Sequence, residues 1–481
     1  MKTYQDLIKV GEDEKERITF VRGAINDHKA SELYRDAVTA YDYFRKRNVT
    51  ISQFQKMLYT MSGAQVPDNY SSNYKFSNSF FQIFVRQRNS HLLGNGVTFN
   101  DDATKDKLGG ESFDEVMIKA GEYALWGGVA FGFYNLDHVD VFKVTEFVPL
   151  IGEEDGGLHA GIRFWQIDSG KPLRATLYEE DGYTDYIWTK DDDGKVLSEK
   201  KPYKEIVQTS EADGEEIIDG ENYPGFPIVP LWGNNEHQSE IIGLREKIDG
   251  YDLIQSGFAN DLTDASQIYW TITNAGGMDD VDLARFLERM HIVKAATVDD
   301  SGAQAEAHTL EIPYQARMQA LQDLRDSLYR DAMALDTDKI SAGNITATAI
   351  NAAYDNLTLA CDAYEACVTE FIRGILKLIG VEDSPTYKRS KIVNMSEDTQ
   401  MVLMAAEYLD SETVLKHLPF LNPDEIEDIL DRNVEEEAER NEDTEESEDD
   451  FAEAEGMDTA ALLDEYGAEV EQMLNELMEG L

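Results

Sequence analysis

Cysteine is almost absent from this chain of 481 residues, which contains Cys361 and Cys367 and no other thiol. The two lie six residues apart in an apolar stretch that predicts a helix. Side chains at that spacing do not share a helix face, so we expect no disulfide between them. Two thiols also cannot supply the ligands of a cysteine-based zinc site. So few cysteines are typical of a protein in a reducing compartment.

Long hydrophobic runs are also missing. The N-terminus has no apolar signal core. The longest uncharged apolar run, Ala124 to Leu136, is too short and too rich in glycine to span a bilayer. The sequence therefore predicts a protein that is made and kept in a cytoplasm, or in a particle assembled there, with no membrane partner.

Positive charge is scarce, since 43 Lys and Arg residues stand against 95 Asp and Glu residues and the formal net charge is -52. A protein that holds DNA tightly neutralises phosphates with basic side chains, so this balance argues against a tight nucleic-acid binder. It is compatible with a conduit, because a wall that repels phosphates lets a polyanion slide. Solubility alone is the simpler explanation.

Catalytic and ligand-binding motifs are absent as well. The chain has no Walker phosphate loop, no His-Glu-x-x-His and no Gly-x-Ser-x-Gly, and its eight histidines are scattered. Gly94-Asn95-Gly96 lacks the helix start and Lys-Ser/Thr of a phosphate loop, so it predicts a turn. Asp191 to Gly194 predicts a hairpin turn, because Lys200 would stand where a calcium loop needs an acidic ligand. We expect no catalytic residue, metal site or cofactor.

What the chain does contain is enough apolar and aromatic residues, 42% and 10%, to bury the cores of two to four domains. Residues 1 to about 145 predict mainly helix, including the aromatic-rich segment Tyr74 to Leu93. From about 140 to 231, short alternating runs separated by turns indicate an antiparallel meander that ends between Pro224 and Pro230.

Two amphipathic helices bracket a small insert in the middle of the chain. Apolar residues at spacings of three and four predict one helix that includes Ile241 to Leu262 and a second, after Pro313, that includes Tyr314 to Leu328. The insert, about 267–310, predicts a strand, a short helix and a second strand, over Ile268–Thr273, Asp280–Met290 and His291–Val298 in that order.

The last third begins with a polar stretch, Asp336 to Thr346, and continues with the strongest helix pattern, Thr346 to Ile379, which Gly380 ends. At 1.5 Å per residue that helix is about 50 Å long, so it must pack along partners. Beyond it lie predicted short helices, one capped by Asn422, then a disordered acidic stretch and an amphipathic terminal helix.

Several stretches follow one another in a characteristic order and spacing, namely Asn73–Phe81 with Leu93–Phe99, Phe226–Leu231 with Asn234-Asn235, Ile248–Asp252, Ser256–Leu262 and Gly343–Ile350. In this order they resemble the portal proteins of long-tailed double-stranded-DNA phages, the siphophage type common in Gram-positive hosts. The likeness runs over roughly residues 30 to 430. The family often has Ser-Gly where this chain has Thr346-Ala347.

The resemblance implies an α+β portal fold with a wing, a two-helix stem, a small α/β clip, a channel loop with a long helix, and a helical crown. On this chain it implies a wing at 1–235, helical and then an antiparallel meander, stem helices at 236–266 and 311–335, a clip at 267–310, a channel loop at 336–345, a long wing helix at 346–380, a crown at 381–433, an acidic disordered linker at 434–456 and a C-terminal amphipathic helix at 457–481.

The resemblance also implies a ring of twelve copies at one capsid vertex, through which viral DNA is packaged, retained and ejected. The implied partners are double-stranded DNA, the terminase large subunit, a head-completion or adaptor protein, and the major capsid or scaffold protein. The candidate site residues are Asp336, Asp338, Lys339, Ser341 and Asn344 in the channel loop and Arg245, Lys247, Arg317 and Arg325 in the stem. The loop residues either meet passing phosphates or are ordinary solvated residues; the stem cations face DNA, neighbouring subunits or solvent.

Two other functions fit the sequence. One is a different virion component, such as a minor head or scaffold-like protein, which the acidic tail favours. The other is an acidic cytoplasmic enzyme with an unfamiliar site. Images of the purified protein separate the three, because they predict a ring with a central hole, irregular oligomers, and a compact monomer or dimer.

Overall fold

A computed structural model of the chain describes residues 2–59, 63–69, 71–189, 193–209, 216–265, 269–273, 281, 285, 304–308, 313–338, 347–390, 402–406, 408–418, 426, 429–430 and 432. The chain divides into two compact units, residues 1–344 with 351–391 and residues 345–350 with 392–481. Asn422, the whole acidic linker and the terminal helix predicted from the sequence lie outside the described residues.

The first unit mixes helices and antiparallel strands, as the predicted α+β class requires. The described helices are α1 (Tyr4–Val10), α2 (Glu14–Ala30), α3 (Glu32–Phe44), α4 (Val49–Gln53), α5 (Phe80–Leu93), α6 (Asp102–Asp106), α7 (Ser112–Gly127), α8 (Arg245–Ala265), α9 (Tyr314–Asp331), α10 (Ala347–Ile379) and, in the second unit, α11 (Ser411–His417). The described strands are β1 (Met57–Tyr59), β2 (Gln65–Pro67), β3 (Val97–Thr98), β4 (Val129–Asn135), β5 (His138–Lys143), β6 (Phe147–Ile151), β7 (Leu158–Trp165), β8 (Leu173–Glu179), β9 (Gly182–Trp188), β10 (Lys195–Val196), β11 (Lys204–Thr209), β12 (Glu216–Glu221), β13 (Ile228–Trp232), β14 (Tyr269–Thr273), β15 (Gln304–His308) and β16 (Thr386–Tyr387).

Two larger sheets, besides two-stranded ones, form most of the β part of the predicted wing. One has five strands in the order β10-β9-β8-β7-β6, and the other has three in the order β13-β4-β5. The meander is confirmed, but the expectation of mainly helix up to about 145 is wrong beyond Gly127. Gly128, at φ 82, ends α7, and the aromatic run after it forms β4. The prediction that the meander ends between Pro224 and Pro230 is also wrong, because Pro230 lies within β13. That strand is at the edge of its sheet, where proline is tolerated.

The main hydrophobic core joins α3, α5, α7 and α10 to the three-stranded sheet. Trp126 and Phe371 are among its fully buried side chains. Gly132 on β4 makes this packing possible, since a Cβ there would overlap the Phe371 ring. A second core packs α1 and α2 on one face of the five-stranded sheet, through residues such as Val21 and Ile162. The wing helices and sheets therefore form a continuous base on which α8 and α9 can be anchored.

The two helices bracketing the insert are shorter than the stem spans that the resemblance implies, 236–266 and 311–335. Residues before Arg245 form turns because Gly243, at φ 80, is left-handed. α9 ends at Asp331 because Met333, at φ 50, turns the chain out of the helix. The long helix agrees to one residue, and Gly380, at φ 70, ends it as predicted. Tyr74–Leu93 is helical from Phe80, and residues before it are irregular.

In the insert, β14 confirms the strand predicted at Ile268–Thr273. Its antiparallel partner is β15, at Gln304–His308, where no strand is expected from the sequence. Of the predicted helix Asp280–Met290, Val281 and Arg285 are described and are helical. The strand predicted at His291–Val298 lies outside the described residues.

Both cysteines are free and buried, as predicted. Burial raises the pKa of the Cys361 thiol to about 11.

Among the helices within the described ranges, none is long and apolar enough to cross a bilayer. In the second unit, the Asp410 side chain caps α11 by accepting a hydrogen bond from the Thr413 amide at 2.9 Å.

Candidate functional site

The helices α8 and α9 form an antiparallel pair that is joined by ion pairs at both ends. Lys247 contacts Asp331 at one end and donates to Ser327 at 2.8 Å. At the other end, Arg317 lies 2.5 Å from Asp261. On each helix the two paired residues are fourteen positions apart, or about 21 Å along the axis. The charges therefore fix the register of the two helices over most of their length.

One end of this pair is embedded in the main core and the other is open. At the embedded end, the Phe80 ring of α5 lies 4.9 Å from Tyr251 and 6.2 Å from Tyr329, centroid to centroid. At the open end, Leu262, Tyr314 and Met318 are about half exposed, at 51%, 56% and 45%. Helices with apolar surface left uncovered at their far end need a further partner there.

Every cation on α8 and α9 has a carboxylate within 4.0 Å. The pairs are Arg245 with Asp249 at 3.8 Å, Lys247 with Asp331, Arg317 with Asp261 at 2.5 Å, Arg325 with Asp336 at 2.9 Å and with Asp338, and Arg330 with Asp331 at 4.0 Å. Hydrogen bonding to Asp338 raises the pKa of Arg325. All four predicted stem residues are therefore neutralised within the chain.

The base of the predicted channel loop, residues 332–338, is tied to α5. The Gln87 amide donates to the Leu335 carbonyl at 2.9 Å and accepts from the Leu335 N–H at 2.8 Å. Arg88 donates to the Ala332 carbonyl at 3.2 Å and pairs with Glu240 at 2.8 Å. The start of the loop is thus fixed to the wing.

The structure brings two predicted loop residues, Asp336 and Asp338, together around Arg325. The Asp336 side chain is 7% exposed, while that of Asp338 is 72% exposed. Asp336 therefore anchors the loop base, and Asp338 lies at its surface. Lys339, Ser341 and Asn344 lie outside the described residues.

A polar stripe on α8 holds residues 72–78, which we call the strap. Four backbone amides of the strap donate to side chains one helical turn apart on α8. The bonds run from Asn78, Phe76, Tyr74 and Ser72 to Asp252, Ser256, Asn260 and Asp264, in that order, at 3.1, 2.9, 2.6 and 3.3 Å. Four helical residues advance about 6 Å, and two extended residues about 6.6 Å, so the spacings match.

The stripe is buried, with Asp252, Ser256 and Asn260 at 0%, 2% and 2% exposure. Burial raises the pKa of Asp252, although hydrogen bonds from Asn48 and Asn78 oppose that shift. One turn earlier, Asp249 accepts from Tyr43 and, at 2.6 Å, from Thr50. These contacts join α8 to the helical part of the wing.

This stripe was not predicted from the sequence. The available signal was a polar residue at every fourth position from Asp252 to Asp264 of an amphipathic helix. Such a row indicates a polar partner. The sequence could not identify that partner, because Asn78 and Asp252 are separated by 174 positions in the chain.

A rigid α+β base carrying a helix pair with paired charges and one open end belongs to the class of structural assembly subunits. The chain belongs to the phage portal protein family of the SPP1 Gp6-like type, whose family profile matches residues 25–443. The chain is thus a virion structural component with the portal fold, of the family found at the capsid vertex. The resemblance expected from the sequence is confirmed.

Curated relatives agree. The chain is 27% identical over 390 residues to the portal protein of Clostridium phage phiCD119, covering 74% of this chain and 83% of the relative. It is 22% identical over 444 residues to the portal protein of Bacillus phage SPP1, covering 85% of this chain and 84% of the relative.

Solved structures give more distant matches. The neck of a native gene transfer agent particle, computed with C12 symmetry, shares 10% identity at a TM-score of 0.42, covering 72% of this chain and 91% of that one. An HK97-family phage portal protein from Corynebacterium diphtheriae shares 10% identity at a TM-score of 0.34, covering 70% and 96%. At these TM-scores the matches carry no further argument.

Proposed function

We propose that copies of this chain close into a ring in which α8 and α9 line a channel for double-stranded DNA. The observation that carries this proposal is the helix pair itself, embedded at one end and uncovered at the other. A helix pair with apolar surface uncovered at its open end suits packing beside identical pairs. Head-to-tail contacts between such pairs close a ring when the rotation allows it.

The paired charges of the stem explain how the channel wall lets DNA move. A phosphate contact needs a basic side chain that is free to release counterions from DNA. On α8 and α9 each cation already has a carboxylate partner. The exposed residues of α9 include three uncharged amides, Gln315, Gln319 and Gln322, and its exposed cation Arg330 lies 4.0 Å from Asp331. Such a wall offers passing DNA few strong attachment points, so friction stays low.

The finer assignments rest on the family. We propose that twelve copies assemble in the host cytoplasm, and that the ring packages, retains and ejects DNA as a conduit without catalysis of its own. The clip at 267–310 docks the terminase large subunit during packaging and a head-completion protein afterwards. The wing meets the major capsid or scaffold protein, the crown at 381–433 lies inside the head, and residues 336–345 form the channel loop.

Deletion of Asp338–Thr346 tests the channel-loop assignment. Because the loop base is held by Gln87, Arg88 and Arg325, rings should still form when the loop itself is gone. DNA packaging or retention should fail. Ring formation is measured by electron microscopy, and packaging by the length of DNA protected in filled heads.

The matched control removes the same number of residues from the acidic stretch, at 444–452, beyond the family match that ends at 443. That deletion should leave packaging intact. Normal packaging of full-length genomes by the loop deletion would refute the assignment.

A further inference from the structure

A cleft of about 390 Å³ opens between the three-stranded and five-stranded sheets of the first unit. We call it the sheet cleft. Its volume lies within the range of ligand-binding pockets, which is about 300–1,000 Å³. β4 and β5 supply one wall, with Phe133 and Phe142, and β7, β8 and β9 supply the other. The portal function described above assigns it no role.

Aromatic rings form much of the wall. The Tyr178 ring centroid lies 5.3 Å from that of Phe133, 6.1 Å from Phe142, 6.2 Å from Tyr183 and 6.5 Å from Tyr203. Tyr178 is 7% exposed, and its burial raises the pKa of its hydroxyl to about 12. The hydroxyl therefore stays protonated and neutral. Ring faces of this kind attract cations.

The sheet cleft already contains one cation on an aromatic face. The Arg163 guanidinium lies 4.4 Å from the centroid of Phe142 and 5.4 Å from that of Trp165. Within the described part of the chain, no carboxylate forms an ion pair with Arg163. Aromatic faces and the Tyr178 hydroxyl, rather than a carboxylate, hold this charge, so these walls accept a cation.

Carboxylates outnumber cations in the cleft. Asp140, Asp185 and Glu205 line it, against Arg163 alone. The Asp140 side chain is 45% exposed, and Asp185 accepts from the Thr176 hydroxyl at 2.6 Å. An anionic ligand would meet repulsion from three carboxylates and attraction from the Arg163 guanidinium alone. An uncharged ligand would displace water from the carboxylates and give them no partner.

We propose that the sheet cleft binds a basic side chain, a lysine ammonium or an arginine guanidinium, presented by a partner polypeptide of the virion. The aromatic walls cover the aliphatic stem and the carboxylates receive the charge. One long side chain suits a cleft of this volume, while the polypeptide that carries it stays at the mouth.

Ligand titration of the full-length chain tests the proposal. The probe is the capped tripeptide Gly-Lys-Gly, followed by saturation-transfer NMR. The same peptide with norleucine in place of lysine tests the need for charge. Spermidine tests whether a free polyamine is the true source of the cation.

The expected result is that the lysine peptide binds and the norleucine peptide does not. The double variant Asp140→Asn/Asp185→Asn should weaken binding by about tenfold or more. Glu205→Gln, at an exposed position, should weaken it by a smaller factor. The control Asp27→Asn/Glu236→Gln makes the same charge change at two exposed positions elsewhere and should leave affinity nearly unchanged.

Any one of four results would overturn the proposal. The lysine peptide fails to bind the wild-type chain, or the norleucine peptide binds equally well. The two double variants lose affinity equally, which would mean that overall charge, not the cleft, attracts the peptide. Spermidine binds more tightly with the same dependence on Asp140 and Asp185, which would assign the cleft to a free polyamine.

Discussion

Replacing Asn260 by alanine should detach the strap from the stem helix. The Asn260 side chain accepts from the Tyr74 N–H at 2.6 Å and donates to the Tyr74 carbonyl at 3.3 Å. The Asn260 side chain is only 2% exposed, so bulk water does not reach its position to replace these hydrogen bonds. Leaving a buried polar group unsatisfied costs about 1–3 kcal/mol. Because the second bond is long, we expect a total loss of about 2–3 kcal/mol.

Urea unfolding and amide hydrogen exchange of the full-length chain measure this effect. The Tyr74 amide should lose protection in the variant, together with its neighbours in the strap. The matched control is Asn95→Ala, which removes an exposed asparagine with one hydrogen bond, to the Lys388 carbonyl. It should change stability by about 0.5 kcal/mol or less. If Asn260→Ala behaved like the control and Tyr74 stayed protected, the strap would not be held as described.

Three further changes have defined outcomes. Gln87→Ala removes both hydrogen bonds to Leu335, so it should lower the free energy of unfolding by about 1–3 kcal/mol and speed hydrogen exchange at the loop base. Unchanged exchange there would contradict the attachment of the loop base to α5. Arg325→Gln should speed hydrogen exchange at the loop base, because Arg325 joins α9 to two loop carboxylates. The exchange rate should also depend less on added salt in the variant, and equal salt dependence in both proteins would refute the role of these ion pairs. Burial lowers the pKa of His28 below its ordinary 6.5, so the folded chain resists protonation of this side chain. The contribution of His28 to stability is complete above pH 6.5 and is lost as the pH falls below that value. The slope should reach up to about 1.4 kcal/mol per pH unit and flatten in His28→Gln, and an identical slope in that variant would contradict the assignment.

The long helix α10 shows what local pattern can predict. Its apolar residues recur at spacings of three and four, and Gly380 comes directly after the last of them. Both signals are local, so the sequence predicts its bounds to one residue. The Ala124–Leu136 run shows the opposite case. α7 ends and β4 begins inside it, and both are buried, so no alternation marks the change at Gly128.

Contacts between distant segments escaped prediction for a physical reason. β15, at Gln304–His308, alternates polar residues only with alanine, which is too weak a signal to predict a strand, and it forms one because β14 pairs with it. On α8, Arg245 could be paired with Asp249 from the sequence, because they are one helical turn apart. Arg317 and Asp261 lie on different helices, and their pairing depends on a packing register that neither helix specifies alone.

Electron microscopy of the assembled chain tests the ring proposal most directly. We expect a closed ring with rotational symmetry, in which α8 and α9 of each copy line a central hole and the exposed amides of α9 face it. A ring with α8 and α9 on its outer rim, or irregular oligomers without a hole, would contradict the proposal that these helices form the wall of a DNA channel.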